Sequence, residues 1–138
     1  MRWILRGLTD NHAHTDASAS DPRLRGRTYT IPFDAVWETA LTVARKRMRG
    51  WAVLYCDDQS GVIVAEASSL LWKFIDDVRI SIGLDENGQT RVDLKSASRK
   101  GKIDWGRNPR GISGFLRRLD RELAVRPNQI LDPNWMNE

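Results

Sequence analysis

The sequence predicts an α+β protein, a two-layer sandwich in which a mainly antiparallel sheet carries its helices on one face. Two observations predict it. Four strand-like segments between residues 52 and 96 follow one another through links too short for a parallel crossover. A helical stretch before them and another after them each show a single apolar stripe. The order strand, helix, four strands, helix then leaves one sheet face polar and covers the other.

Residues 1–26 carry little periodicity, and Asp10 to Asp21 is small and polar, so this part is expected to be a flexible tail. Trp3, Ile4 and Leu5 could still anchor it to the body. The folded domain is expected over 27–124, with a second tail at 125–138. It opens on Arg27-Thr-Tyr-Thr-Ile31, a β-branched and aromatic run that reads as a short strand. Pro32-Phe33-Asp34 stops that strand and starts a helix with Asp34 as N-cap. Val36, Trp37, Ala40, Leu41, Ala44 and Met48 form its apolar stripe, and Gly50 can close it. Arg45, Lys46, Arg47 and Arg49 crowd its last turn, where cations complement the helix dipole.

Ala52 to Cys56 and Val62 to Ala67 read as a hairpin joined through Asp57-Asp-Gln-Ser-Gly61. Val78, Ile80, Ile82 and Leu84 then alternate with Arg79, Ser81 and Gly83, the mark of a half-buried strand. Asp85-Glu-Asn-Gly88 is a tight turn, and Val92, Leu94 and Ser96 alternate beyond it. The last helix opens with Asn108 as N-cap and Pro109 in its first position. Ile112, Phe115, Leu116, Leu119 and Leu123 supply its apolar stripe.

Bulk composition narrows the class. At 138 residues, with 41% apolar and 29% charged side chains, the chain can bury one core and reads as soluble. No apolar run is long enough to span a bilayer, and no signal peptide is legible, so a cytoplasmic protein is expected. The single Cys56 lies in an apolar run and allows no intrachain disulfide. A net charge of +4 permits anionic partners without requiring them.

Two segments carry a signature. They are Phe74-Ile-Asp-Asp-Val78 at a strand start, and Ser96-Ala-Ser-Arg-x-Gly-x-x-Asp-x-Gly-x-Asn108. Together they resemble the domain-of-unknown-function 1499 family over about residues 27–123. Ile75 stands where that family usually has proline, Lys95 where arginine is common, and Arg110 is slightly offset after Asn108. Many members carry an N-terminal lipid-attachment or membrane segment, and here a histidine-bearing stretch takes that place. The resemblance implies a helix-grip-like fold of the kind found in envelope binding modules, and it implies no established activity.

The segment 95–110 is the expected site. Nine basic residues, from Arg91 through Arg118, stand against Asp93 and Asp104. Gly101 and Gly106 let a ligand approach closely, and the amides after Asn108 can take an anion. Arg99 and Arg110 would grip it, with Lys102 adding charge and Trp105 acting as a lid beside Trp72 and Phe74. Asp76, Asp77 and Asp104 would orient those arginines, or pair with them to pin the loop to the sheet. The expected ligand is an anionic small molecule, a lipid headgroup or a protein segment. No catalytic residue and no cofactor are expected. Asp76 and Asp77 are adjacent on a strand and point to opposite faces, so they cannot easily act on one atom.

Two other readings remain. His12-Ala-His14 resembles the first metal-ligand motif of metal-dependent hydrolases, whose barrel this chain is too short to form. Nucleic acid is disfavoured, since most of the six tryptophans read as core and only Trp105 lies in the basic loop.

Overall fold

The structure is a computed structural model that describes residues 12–16, 19, 24–68, 75–99 and 107–131, with only the backbone of His12, Arg107 and Asn108. Its architecture is α+β, an open antiparallel sheet of six strands covered on one face by two helices. The strands are β1 (His12–His14), β2 (Arg27–Tyr29), β3 (Trp51–Asp57), β4 (Val62–Ser68), β5 (Ile75–Leu84) and β6 (Thr90–Ser98). The helices are α1 (Phe33–Thr42) and α2 (Arg107–Glu122). Spatial order is β1-β6-β5-β4-β3, and β2 also pairs with β6.

The alternation in the sequence becomes the two faces of this sheet. Ile63, Ala65, Val78, Ile80, Ile82, Val92 and Leu94 point inward and are buried. Against them pack Val36, Trp37, Ala40 and Val43 from the first helix and Ile112, Phe115, Leu116 and Leu119 from the second. Trp51 stacks on Phe115 with ring centroids 5.7 Å apart, which ties the first residue of β3 to α2. The turn at Asp85 forms as expected, its carboxylate accepting the amide protons of Asn87 and Gln89 at 2.9 Å.

Three features differ from the sequence reading. The free edge of β6 is shared by two short strands laid end to end. Arg27–Tyr29 covers Thr90–Val92, and His12–His14 covers Lys95–Ala97. A three-residue strand is too short to show periodicity, and its partner lies about eighty residues away in the chain, so the polar segment reads locally as tail. Ala13 enters the core at 3% exposure, and Thr15 closes the strand by donating to the Asp93 carboxylate at 2.6 Å.

The first helix starts one residue before Asp34, with Pro32 at the cap position and no side-chain cap bond. Asp34 stays in the first turn, where its charge still suits the dipole. The helix then widens into a π turn over Val43–Arg47, which buries Val43 and Ala44 while Arg45, Lys46 and Arg47 face solvent. At the other end of the chain, Ile130 bridges Tyr29, and Leu131 donates to the Thr28 carbonyl at 3.0 Å. The stretch 127–131 thus closes the outer edge of β2.

One polar cluster lies inside the core. Asp120 of α2 accepts from Arg27 Nε at 3.0 Å and from the Tyr29 hydroxyl at 2.6 Å. Arg27 is 1% exposed. Burial pushes the Asp120 carboxyl above its ordinary value, while the Arg27 charge and both hydrogen bonds pull it back. The pair fastens α2 to the edge strand. Among the described residues no helix is long and apolar enough to cross a membrane.

Candidate functional site

The sheet register decides how the expected site is assembled. Glu66 of β4 and Asp77 of β5 are directly opposed, and Asp77 faces Ala97 of β6 on its other side. Arg99 lies just beyond β6, where its amide still donates to the Ile75 carbonyl at 2.9 Å. Two carboxylates opposed across a ladder repel, and the Arg99 guanidinium reaches both. Nη2 donates to Glu66 at 2.8 Å and also to Asp77, while Nε reaches the second Asp77 oxygen at 3.3 Å. Those bonds hold Arg99 more firmly protonated than a free guanidinium. The cluster is solvent-exposed and carries one positive against two negative charges, so it positions Arg99 without making this spot cationic.

Asp76 and Asp77 separate as expected for neighbours on a strand. Asp76 is 5% exposed on the inner face, opposite Ser98, whereas Asp77 is on the outer face with Glu66. Arg110 is an exposed residue in the first turn of α2. Lys102, Asp104, Trp105, Trp72 and Phe74 lie outside the described residues, as does the side chain of Asn108. The structure therefore joins Arg99 to Asp77, sets Asp76 apart from them, and adds Glu66. Sequence reading missed Glu66 because its part depends on a hairpin register 33 residues away. The signal that was available was an acidic residue at an outward position in an otherwise apolar strand.

Some of the charge counted around segment 95–110 is already committed. Arg91 grips Asp93 at 2.7 Å and the Arg25 carbonyl, so it braces the edge of the sheet. Helix α2 supplies a different kind of feature. Gly111 is the fifth residue of α2, just past its first turn, and a Cβ built there would have no described atom within 4 Å apart from the helix's own backbone. Glycine in a helix costs roughly 1 kcal/mol relative to alanine, and the described packing does not require it here.

The histidine motif is only partly described. His14 is half-buried beside Lys95 in the β1–β6 register. Burial lowers the pKa of its imidazole, Lys95 pushes the same way, and Asp16 opposes. Among the described residues no group of three or more His, Cys, Asp or Glu side chains is arranged to hold a metal ion. Cys56 is half-buried on β3, with Arg45 Nη2 at 3.7 Å from its sulfur.

Comparison with known proteins gives one family. A family model described as a protein of unknown function, DUF1499, matches residues 7–119. No curated protein matches the chain.

Proposed function

The chain belongs to the DUF1499 family, and on that premise we propose that it is a non-catalytic binding domain for an anionic ligand at segment 95–110. The ligand is an anionic small molecule, a lipid headgroup or a protein segment. Arg110 and the first amides of α2 take the anion. Arg99, steadied by Glu66 and Asp77, forms one wall, and Asp76 supports the strand end beneath it. Lys102, Asp104, Trp105 and Asn108, which fall between Arg99 and Arg110 in the sequence, are the remaining residues of the proposed site.

Gly111 is the observation that carries this reading. A side-chain-free position just past the first helical turn costs stability, meets no described neighbour, and lets a ligand approach the start of the helix closely. Gly111→Ala is expected to stabilise the free protein by about 1 kcal/mol. The same variant should lose most of the rise in unfolding midpoint that phosphate or a dicarboxylate gives the wild type, as read by thermal unfolding. A variant that is stabilised yet responds to anions like the wild type would remove the support.

A second reading, a metal-dependent hydrolase using His12 and His14, gains one observation, the ordering of that motif as a strand in the sheet. A zinc-specific rise in the midpoint, lost in His14→Ala, would favour it.

A further inference from the structure

Helix α2 does not balance its own charge. It carries two carboxylates, Asp120 and Glu122. Asp120 is spent inside the core on Arg27, and Glu122 accepts from Arg47 of the π turn at 3.3 Å. Arg110, Arg117, Arg118 and Arg121 all face solvent. Arg117 donates to Ser113 and Arg118 to the Gly114 carbonyl, contacts within the helix, and among the described residues no carboxylate opposes either charge.

The positions are ordered. At about 100° per residue, Arg110, Arg117 and Arg121 fall within roughly 40° of one another and mark a line about 16 Å long, with Arg118 beside it. The opposite face is the buried stripe of Ile112, Phe115, Leu116 and Leu119. Helix electrostatics alone does not account for the line. Arg121 suits the negative C-terminal end, but Arg117 and Arg118 lie before the last turn, outside the reach of that end. Arg117 and Arg121 also repel at i, i+4 spacing.

We infer that this face of α2 binds the sugar–phosphate backbone of a nucleic acid, with its arginines taking successive phosphates. Guanidinium groups match phosphate oxygens in bidentate geometry, and a line of them matches a linear polyanion. No stacking tryptophan is needed for this mode. A flat anionic bilayer fits less well, for want of an apolar anchor. Among the described residues the large exposed apolar side chains, Leu54, Tyr55, Leu84 and Leu131, are not on either helix, so no described side chain of the two helices is available to insert. The inference does not depend on the small-anion site, although Arg110 serves in both.

The test is fluorescence anisotropy of the full chain with a single-stranded oligonucleotide and with a duplex, titrated over salt. Wild type is expected to bind, with affinity falling linearly on a log–log salt plot. Arg117→Ala with Arg121→Ala should weaken binding equally for all sequences and reduce the slope by roughly 1.5. Arg117→Lys with Arg121→Lys, which keeps the charge, should restore most of the slope. Both pairs are on the surface, and circular dichroism checks that they fold. The alanine pair should still show the wild-type midpoint rise with inorganic phosphate, which separates this face from the site at segment 95–110. Absence of oligonucleotide binding at low salt would overturn the inference. So would an unchanged slope in the alanine pair, or binding to phosphatidylserine-rich vesicles without binding to oligonucleotide.

Discussion

Replacing Asp120 with alanine is expected to destabilise the fold by about 4 kcal/mol, because breaking one side of a buried ion pair leaves the other charge without compensation. The charge left behind is Arg27, at 1% exposure, and the Tyr29 hydroxyl loses its acceptor as well. The penalty should depend on pH, with a sign opposite to that of a surface salt bridge. Burial raises the folded-state pKa of Asp120 above its unfolded value. Its proton is therefore held more tightly in the folded protein. The stability this titration contributes is present in full below the unfolded pKa of about 4 and is lost as pH rises through the folded value. The gap between wild type and Asp120→Ala should thus be wider near pH 4 than at pH 7. Urea unfolding of both proteins at the two pH values measures it. A gap that widens toward neutral pH would mean that Arg27 lowers the carboxyl more than burial raises it.

Gly61→Ala is the second large effect, a loss of about 3 kcal/mol. Gly61 ends the β3–β4 turn at φ +71°, a conformation that costs a side chain roughly 1–2 kcal/mol. A Cβ there would lie 1.9 Å from the Ile82 carbonyl oxygen, a backbone atom that cannot swing aside. The contact is close because β5 bonds to the turn itself, the Ile82 amide donating to the Gly61 carbonyl at 2.7 Å. Relief would have to pull β5 away from the turn. The identical change at Gly111 is expected to stabilise the protein, so denaturant unfolding of the two variants side by side should give effects of opposite sign. Equal signs would contradict the local account of both positions.

How far the fold was legible follows from which interactions are local. Alternation in Val78 to Ile82 and in Val92 to Ser96, and the stripe from Ile112 to Leu119, can be read from neighbours in the chain, and each forms as read, whereas Leu84, expected on the inner face, is exposed where β5 runs into the turn. The short strand at His12–His14 and the bridge from Tyr29 to Ile130 exist only because distant partners offer unpaired backbone. No local pattern can announce them. The Arg27–Asp120 pair spans 93 residues. Its one local trace is an acid four residues after Leu116, on the buried side of the last helix.

The candidate site divides in the same way. The opposite facing of Asp76 and Asp77 follows from strand geometry and needs no partner. The pairing of Arg99 with Asp77 was one of two arrangements open to the sequence, and the register selects it. Glu66 as a third member required knowing which residue of β4 stands across from Asp77. The charge count over residues 91–118 was real but uneven in meaning. Arg91 and Arg99 are held by carboxylates, while Arg117 and Arg118, among the described residues, bond within their helix.

Thermal unfolding of the wild type and of an Arg99→Ala, Arg110→Ala double variant tests the central claim most directly. Both proteins are measured with phosphate, sulfate, a dicarboxylate, glycerophosphate and zinc, since a ligand that binds only the folded state raises the midpoint by mass action. An anion that stabilises the wild type in proportion to its concentration, together with a folded double variant that no longer responds, is the predicted result. A folded double variant that keeps the full anion response, or a wild type that responds to none of the anions, would contradict it.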